Sequence, residues 1–205
     1  MNKINSINKV IDNKFLKFYQ IDANTKTGKN FDYYFVSRND SENLKINTRK
    51  MDPEGIVVYA ITKESNPRLL LIKEYRYPLD DMVYALPAGL VDVGENLGDA
   101  AAREVQEETG YRFEEYTGGD SCFRRPFLMG VGYTDEASTA VFGYVDLENC
   151  KQECEDTEEI EVILADKKMV RKILSEEKVS LRGAYLMMMY LKMDGDKPFG
   201  FLELD

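Results

Sequence analysis

The chain has 205 residues, 43% hydrophobic and 31% charged, enough for one well-packed core with a small appended unit and too few for two full-sized domains. Its formal net charge of -10, with no long basic run, argues against a nucleic acid polymer as partner. Histidine is absent, which removes the commonest general base and every Ser-His or Cys-His nucleophile pair.

No apolar run approaches the ~20 residues that span a bilayer, and the opening MNKINSINKVIDNK lacks the apolar centre of a signal peptide. A cytoplasmic location without membrane contact is therefore expected. FLKFYQIDA and FDYYFVSR, on either side of NTKTGKN, are aromatic and β-branched runs around a glycine-containing turn, the pattern of a hairpin. The polar link NDSENLKINTRKMDPEG follows, and Pro53 and Gly55 mark a boundary between an N-terminal β segment (1–50) and a main domain (51–205). GIVVYAIT and RLLLIKEYRY form a second hairpin whose near-continuous apolar runs predict strands covered on both faces.

Beyond YALPAGLV, the segment RRPFLMGVGYTDEAS reads as a loop, TAVFGYVDL as a strand, KQECEDTEE as an acidic loop and IEVIL as a short strand. Two helices close the chain. DKKMVRKILSEEK places Met169, Val170, Ile173 and Leu174 at helical spacing, and LRGAYLMMMYLKM carries a second apolar stripe in which Met187, Met188 and Met189 read as core filler. Cys150 and Cys154 could form half of a zinc site, but with Cys122 the only other cysteine and no histidine, four nitrogen or sulfur ligands are not available. Strands interleaved with helices in hairpin order predict an α/β sandwich, a mixed sheet between helical layers.

The stretch from Gly89 to Tyr111, GLVDVGENLGDAAAREVQEETGY, carries the chemistry. Asn96 is placed to cap a helix over Leu97 to Thr109, with Asp99 in its first turn and Gly110 at the left-handed C-terminal position. Leu97, Ala101 and Val105 fall on one face, which Ala102 extends, and that stripe goes to the core. Glu104, Glu107 and Glu108 share an arc of ~100° beside it. Like charges at these spacings cost a helix roughly 0.2 to 0.5 kcal/mol per pair, and two of them oppose the macrodipole near its C-terminus. Such an arrangement is either a solvated acidic face or an oxygen-ligand site for a hard divalent cation, Mg2+ with Mn2+ as the alternative. Arg103, four residues before Glu107, would steady one carboxylate.

The full spacing, Gly89, five residues, Glu95, seven residues, Arg103-Glu104-Val105, one residue, Glu107-Glu108, one residue, Gly110-Tyr111, resembles the signature box of the Nudix hydrolases. That resemblance implies the Nudix α/β/α sandwich and a Mg2+-dependent hydrolase that cleaves a diphosphate joining a nucleoside to another group. It implies Glu104 and Glu108 as principal metal ligands, with Glu107 as another. EYRYPLDDMVYALPAGLVDVGE (74–95) is similar to the Gln/Glu-Tyr-Arg and Glu-Leu-Pro-Ala-Gly segments of the family's ADP-ribose pyrophosphatase branch, which cleaves ADP-ribose to AMP and ribose 5-phosphate.

By this likeness the Ala88 carbonyl is a candidate metal ligand and Arg76 a candidate substrate contact, with a strand-end salt bridge as its plainer role. GVGYTDE (130–136) resembles the branch's Ser-Pro-Gly-x-Thr-x-Glu loop, so Thr134 and Glu136 would face the substrate. ECEDTEEIEV (153–162) resembles the loop that holds its catalytic glutamate; Glu158 is the first candidate for the base that activates water, with Asp156 and Glu159 behind it. Branch members use an N-terminal β segment to form a homodimer and to cover the nucleobase, a role open to Phe31, Tyr33, Tyr34 and Phe35. Ala85, where the branch usually has glutamate, and Val131, in place of its loop proline, are departures. The resemblance therefore leaves three readings: an ADP-ribose or ADP-sugar pyrophosphatase, a pyrophosphatase for another nucleotide sugar or dinucleotide, and a non-catalytic nucleotide-binding Nudix module.

Overall fold

The computed structural model describes residues 3–147, 151–154 and 156–204. Cys150, half of the cysteine pair considered for zinc, lies outside them. Along the chain run β1 (Ile4–Ile11), β2 (Lys17–Asn24), β3 (Asn30–Ser37), α1 (Lys45–Thr48), β4 (Gly55–Thr62), β5 (Leu69–Arg76), β6 (Asp81–Ala85), β7 (Ala88–Leu90) and α2 (Leu97–Thr109). They continue with β8 (Arg112–Glu115), β9 (Phe127–Leu128), β10 (Ala137–Asp146), β11 (Ile160–Ala165), α3 (Lys167–Glu176) and α4 (Leu181–Lys192). Two compact units result: Met1–Glu54 with Pro126–Ser138, and Gly55–Arg125 with Thr139–Asp205.

In the first unit the expected hairpin is β2 and β3, and β1 joins it as an antiparallel third strand. The strand β1 is hidden in the sequence because its half-buried Ile4 and Ile7 are three residues apart, against the period of two that marks a strand. A bulge absorbs the extra residue: Ile4 lies opposite Ala23 and Ile7 opposite Ile21, with the register shift between Ile4 and Ser6. Tyr19, Phe35 and Leu44 form this unit's small core, with Ile7, Ile21 and Ile46 packed against it. The segment expected to be a polar link holds α1, and the fully buried Leu44 just before it anchors the turn.

In the second unit the sheet runs β11-β5-β4-β10-β8, with β6 paired to β5 and β7 to β4. Every residue of β4 is buried, as a strand covered on both faces requires. Alternation sorts the side chains. Val57, Tyr59 and Ile61 join Val170 and Ile173 of α3 and Leu186, Met187 and Tyr190 of α4 in one cluster. Ile56, Val58 and Ala60 join Ala100, Ala101 and Val105 of α2 in the other. The result is the α/β/α sandwich.

Two details of the closing helices differ from expectation. Met187 is fully buried but its neighbour Met188 is exposed, because each residue turns the helix by ~100°. In α3, Val170 and Ile173 carry the core contact and Met169 points outward. Among the described residues no helix is long and apolar enough to cross a membrane.

Candidate active site

The helix α2 is delimited by its own chemistry. Asn96 Oδ1 accepts the Asp99 amide at 2.9 Å, and Gly110, at φ 71°, donates its amide to Gln106 O at 2.8 Å. The buried face differs from the expected one: Ala100 joins Ala101 and Val105 in the core, while Ala102 is only half-buried. The i, i+3, i+4 series from Leu97 passes through 100, 101, 104, 105 and 108, so Glu104 and Glu108 lie on the covered flank of the helix. Glu108 is 4% exposed. Glu107, one step around, is far more open, its side chain 42% exposed against 13% for Glu104.

Arg103 does more than steady one carboxylate. Its Nε and Nη2 donate to the two oxygens of Glu95, each at 3.0 Å, Nη1 to Glu104 at 2.8 Å and Glu107 at 3.1 Å, and Nη2 also to the carbonyl of Leu90 at 2.9 Å. One planar guanidinium thus ties the loop after β7 to the acidic face of α2. Hydrogen bonding to Arg103 holds Glu95 below the usual carboxylate range, helped by the Asp92 amide. Against the other side of the helix lies β7, where the Ala88 amide donates to Glu108 Oε2 at 3.2 Å. A Cβ at Gly89 would land on the Glu104 carboxylate, so a side chain there would push that carboxylate out of its place beside Arg103.

Burial governs the ionisation of this cluster. It pushes Glu108 well above the usual carboxylate range, with the neighbouring charge of Glu104 adding to the effect and the Ala88 amide opposing it. Glu104 is raised for the same first reason, against the pull of Arg103. A third buried acid, Glu74 of β5, is raised by desolvation despite Arg76, whose Nη2 lies 2.5 Å from its Oε2. The only sequence signal for Glu74 is the period of β5: Leu70, Ile72 and Glu74 share a face, and the first two are core. Arg76 is half-exposed, so the plainer ion pair foreseen for it is present.

Glu158 is exposed, two residues before β11. The Tyr75 amide donates to Glu159 O at 3.1 Å, and Ile160 stands opposite Glu74 in the ladder. The charge of Glu158 is a minor cause of the raised values of Glu74, Glu104 and Glu108, which puts it within electrostatic reach of all three. Asp156 and Glu159 are exposed nearby. Thr134 and Glu136 belong to the first unit, where Thr134 Oγ1 accepts the Glu136 amide at 3.1 Å and the Glu136 carboxylate lies 3.3 Å from Arg38 Nε. Of the two departures, Ala85 is buried in β6 opposite Ile72, and Val131 is exposed.

Among the described residues no three acids or cysteines already converge as ligands on one point. Glu104 and Glu107 are turned to Arg103, and Glu108 to Ala88. The donor set nonetheless fits a hard divalent cation: oxygen ligands only, two of them desolvated carboxylates whose burial outweighs the partners they have.

The NUDIX domain pattern matches residues 51–166 of the chain. A Caenorhabditis elegans protein provisionally named nudix hydrolase 2 is 31% identical over 166 residues, 77% of this chain and 69% of that protein. The ADP-ribose pyrophosphatase of Saccharomyces cerevisiae is 35% identical over 117 residues; the match covers 54% of this chain but only 48% of the yeast protein's length. A crystal structure of an ADP compounds hydrolase superposes with a TM-score of 0.68 over 92% of this chain and 93% of its own, and at 20% identity it bears on the fold alone. With the pattern spanning more than half of the sequence and the acidic helix assembled as the signature requires, the chain belongs to the Nudix hydrolase family.

Proposed function

We propose that the chain is a Mg2+-dependent pyrophosphatase acting on a nucleoside diphosphate joined to a second moiety, with ADP-ribose, cleaved to AMP and ribose 5-phosphate, as the first candidate substrate. The observation that carries this reading is the acidic face of α2, where desolvated Glu104 and Glu108 are locked between Arg103, Gly89 and the Ala88 amide. Local stability argues against such crowding, so a cationic ligand is its reason. The named activity of the yeast relative supports the choice of ADP-ribose.

Glu104, Glu107, Glu108 and the Ala88 carbonyl would hold the cation, which when bound supplies charge neutralisation for the diphosphate and its leaving oxygen. Arg103 keeps the helix acids in register with the loop that carries Leu90 and Glu95. Arg76, ion-paired with Glu74, would bind a phosphate oxygen or stack on a base. Glu158 takes the proton from the attacking water as oxygen adds to phosphorus and the bond between phosphorus and the bridging oxygen breaks, yielding two monophosphates. Thr134 and Glu136 would contribute substrate contacts. In the first unit Val10, Ile11, Phe15, Leu16, Phe31, Tyr33 and Tyr34 are exposed on and beside the three-stranded sheet, which favours pairing of two copies through it.

The test is a panel of ADP-ribose, nucleotide sugars, diadenosine polyphosphates and NADH with Mg2+ or Mn2+, with products identified. AMP and ribose 5-phosphate as the fastest products are expected. Turnover of none of these diphosphates would sink the hydrolase reading, and a faster nucleotide sugar or dinucleotide would replace the substrate alone.

A further inference from the structure

We infer that Gln152 is a positioning residue for diphosphate hydrolysis, clamping the segment that bears Glu158 to the C-terminal end of α2; the role rests on the hydrolase reading above. An α-helix leaves its last carbonyls without intrahelical partners. In α2, Gly110 takes Gln106 O, which leaves Glu107 O and Glu108 O to be satisfied from outside. The acidic segment supplies the donors. The Glu153 amide donates to Glu107 O at 2.8 Å, with Cys154 Sγ 3.8 Å from the same oxygen, and Gln152 Nε2 donates to Glu108 O at 2.7 Å. The same Nε2 reaches Ile160 O at 3.3 Å. One side-chain amide therefore bridges the end of the acidic helix and the first residue of β11, and Glu158 lies two residues before that bridgehead.

The chemistry of the bridge explains the residue type. A primary amide carries two N–H donors on one nitrogen, which two carbonyls can share. Glutamate would set an acceptor against both carbonyls, and methionine would match the length with no donor. The bridge also has electrostatic work to do. The charge of Glu158 adds to those of Glu104 and Glu74 at Glu108, beside a helix end that is itself the negative pole of the macrodipole, so repulsion opposes the docking of the segment. A lysine could hold it but would neutralise the carboxylate that must accept a proton. A neutral amide holds the segment and leaves the charge of Glu158 in place. The ladder contact from Tyr75 to Glu159 O anchors the far side to β5, and the Gln152 side chain connects the start of β11 to α2.

The experiment compares wild type, Gln152→Met, Glu158→Gln and the double variant, as full chains with Mg2+ and ADP-ribose. Steady-state kinetics are measured together with hydrogen exchange at the Glu153 amide. For Gln152→Met, kcat is expected to fall ~10- to 100-fold, as for a misplaced catalytic group, with KM within about twofold of wild type and faster exchange at Glu153. Because Gln152 acts through Glu158, the double variant should be no slower than Glu158→Gln alone. A further loss in the double variant equal to that in the single one would show a merely structural role and overturn the inference. Gln152→Glu, which reverses the hydrogen-bonding polarity at equal length, should reproduce the kcat loss, and full kcat in both variants overturns the inference. If wild type hydrolyses no diphosphate, the hydrolase reading and this role fall together; if wild type is active and both Gln152 variants match it, this role falls alone.

Discussion

Glu104 and Glu108 are fixed by burial, by Arg103 and the Ala88 amide, and by the missing side chain at Gly89, whereas Glu158 stands exposed on a segment held at its base by Gln152 and the start of β11. The helix acids have had their desolvation imposed by the fold before any ligand arrives; the loop acid keeps its water. That division suits a cation site, which gains from rigid, dehydrated oxygen ligands, and a proton acceptor, which must exchange its proton with solvent after each turnover. Glu74 belongs with the first group although it comes from a strand, since it too is buried and raised. Variants on the two sides should therefore fail in different ways.

On the helix side the largest effect is expected from Glu108→Gln. The amide keeps the shape and removes an ionised oxygen, so kcat should fall roughly a thousandfold, the scale of losing one principal electrostatic group in a water-poor site. Thermal melts without divalent cation should show the variant at least as stable as wild type, because a desolvated charge has gone. Kinetics with Mg2+ and melts in a chelator check both halves, and an undiminished kcat would mean that the cation sits elsewhere.

On the loop side Glu158→Gln should lower kcat about a hundredfold, the lower range for general-base catalysis, with KM little changed. Melting temperature should change far less than in Glu108→Gln, since the side chain is exposed and its charge is only a minor cause of the raised values of the buried acids. A loss confined to KM would assign Glu158 to binding, and a loss of Mg2+ affinity would move it into the ligand set.

The helix side was largely legible in the sequence and the loop side was not. Asn96, Gly110 and the spacing of Ala101 and Val105 define α2 to the residue, and the acids on its flank follow from 3.6 residues per turn. Local periodicity cannot reveal how far a flank is covered, so the burial of Glu108 and of Ala100 in place of Ala102 depends on the strands laid against the helix. Glu74 lay within reach of the alternation in β5, but an acid at the end of an apolar strand looks like the point where the strand meets solvent. Gln152 carries no local signal at all, because its two carbonyl partners, Glu108 O and Ile160 O, come together only when the chain has folded. The strand β1 escaped for another reason: its bulge breaks the period by which a strand is recognised.

The smallest effect separates the two sides by pH. Glu74, Glu104 and Glu108 all bind their protons more tightly in the folded chain than the ordinary glutamate value of 4.5. For a raised group the contribution to stability is fully present below the unfolded value and is lost as pH rises through the folded one. Without divalent cation, melting temperature should thus decline as pH climbs from about 5 towards 8. Glu95 works in the opposite sense, since Arg103 lowers it; its contribution is lost only as pH falls below the ordinary range, leaving the upper window to the three raised acids. Mg2+ requires the ionised carboxylates, so its stabilisation should be small at pH 5 and grow to a few degrees at pH 8. Glu108→Gln should flatten the decline and reduce the Mg2+ gain, while Glu158→Gln should shift both curves only slightly, because its charge is a minor cause of the raised values of the three acids. Melts at four pH values, in chelator and in saturating Mg2+, decide it: a gain independent of pH would place the cation away from the buried acids, and a curve altered as much by Glu158→Gln as by Glu108→Gln would show that the exposed acid shares their work.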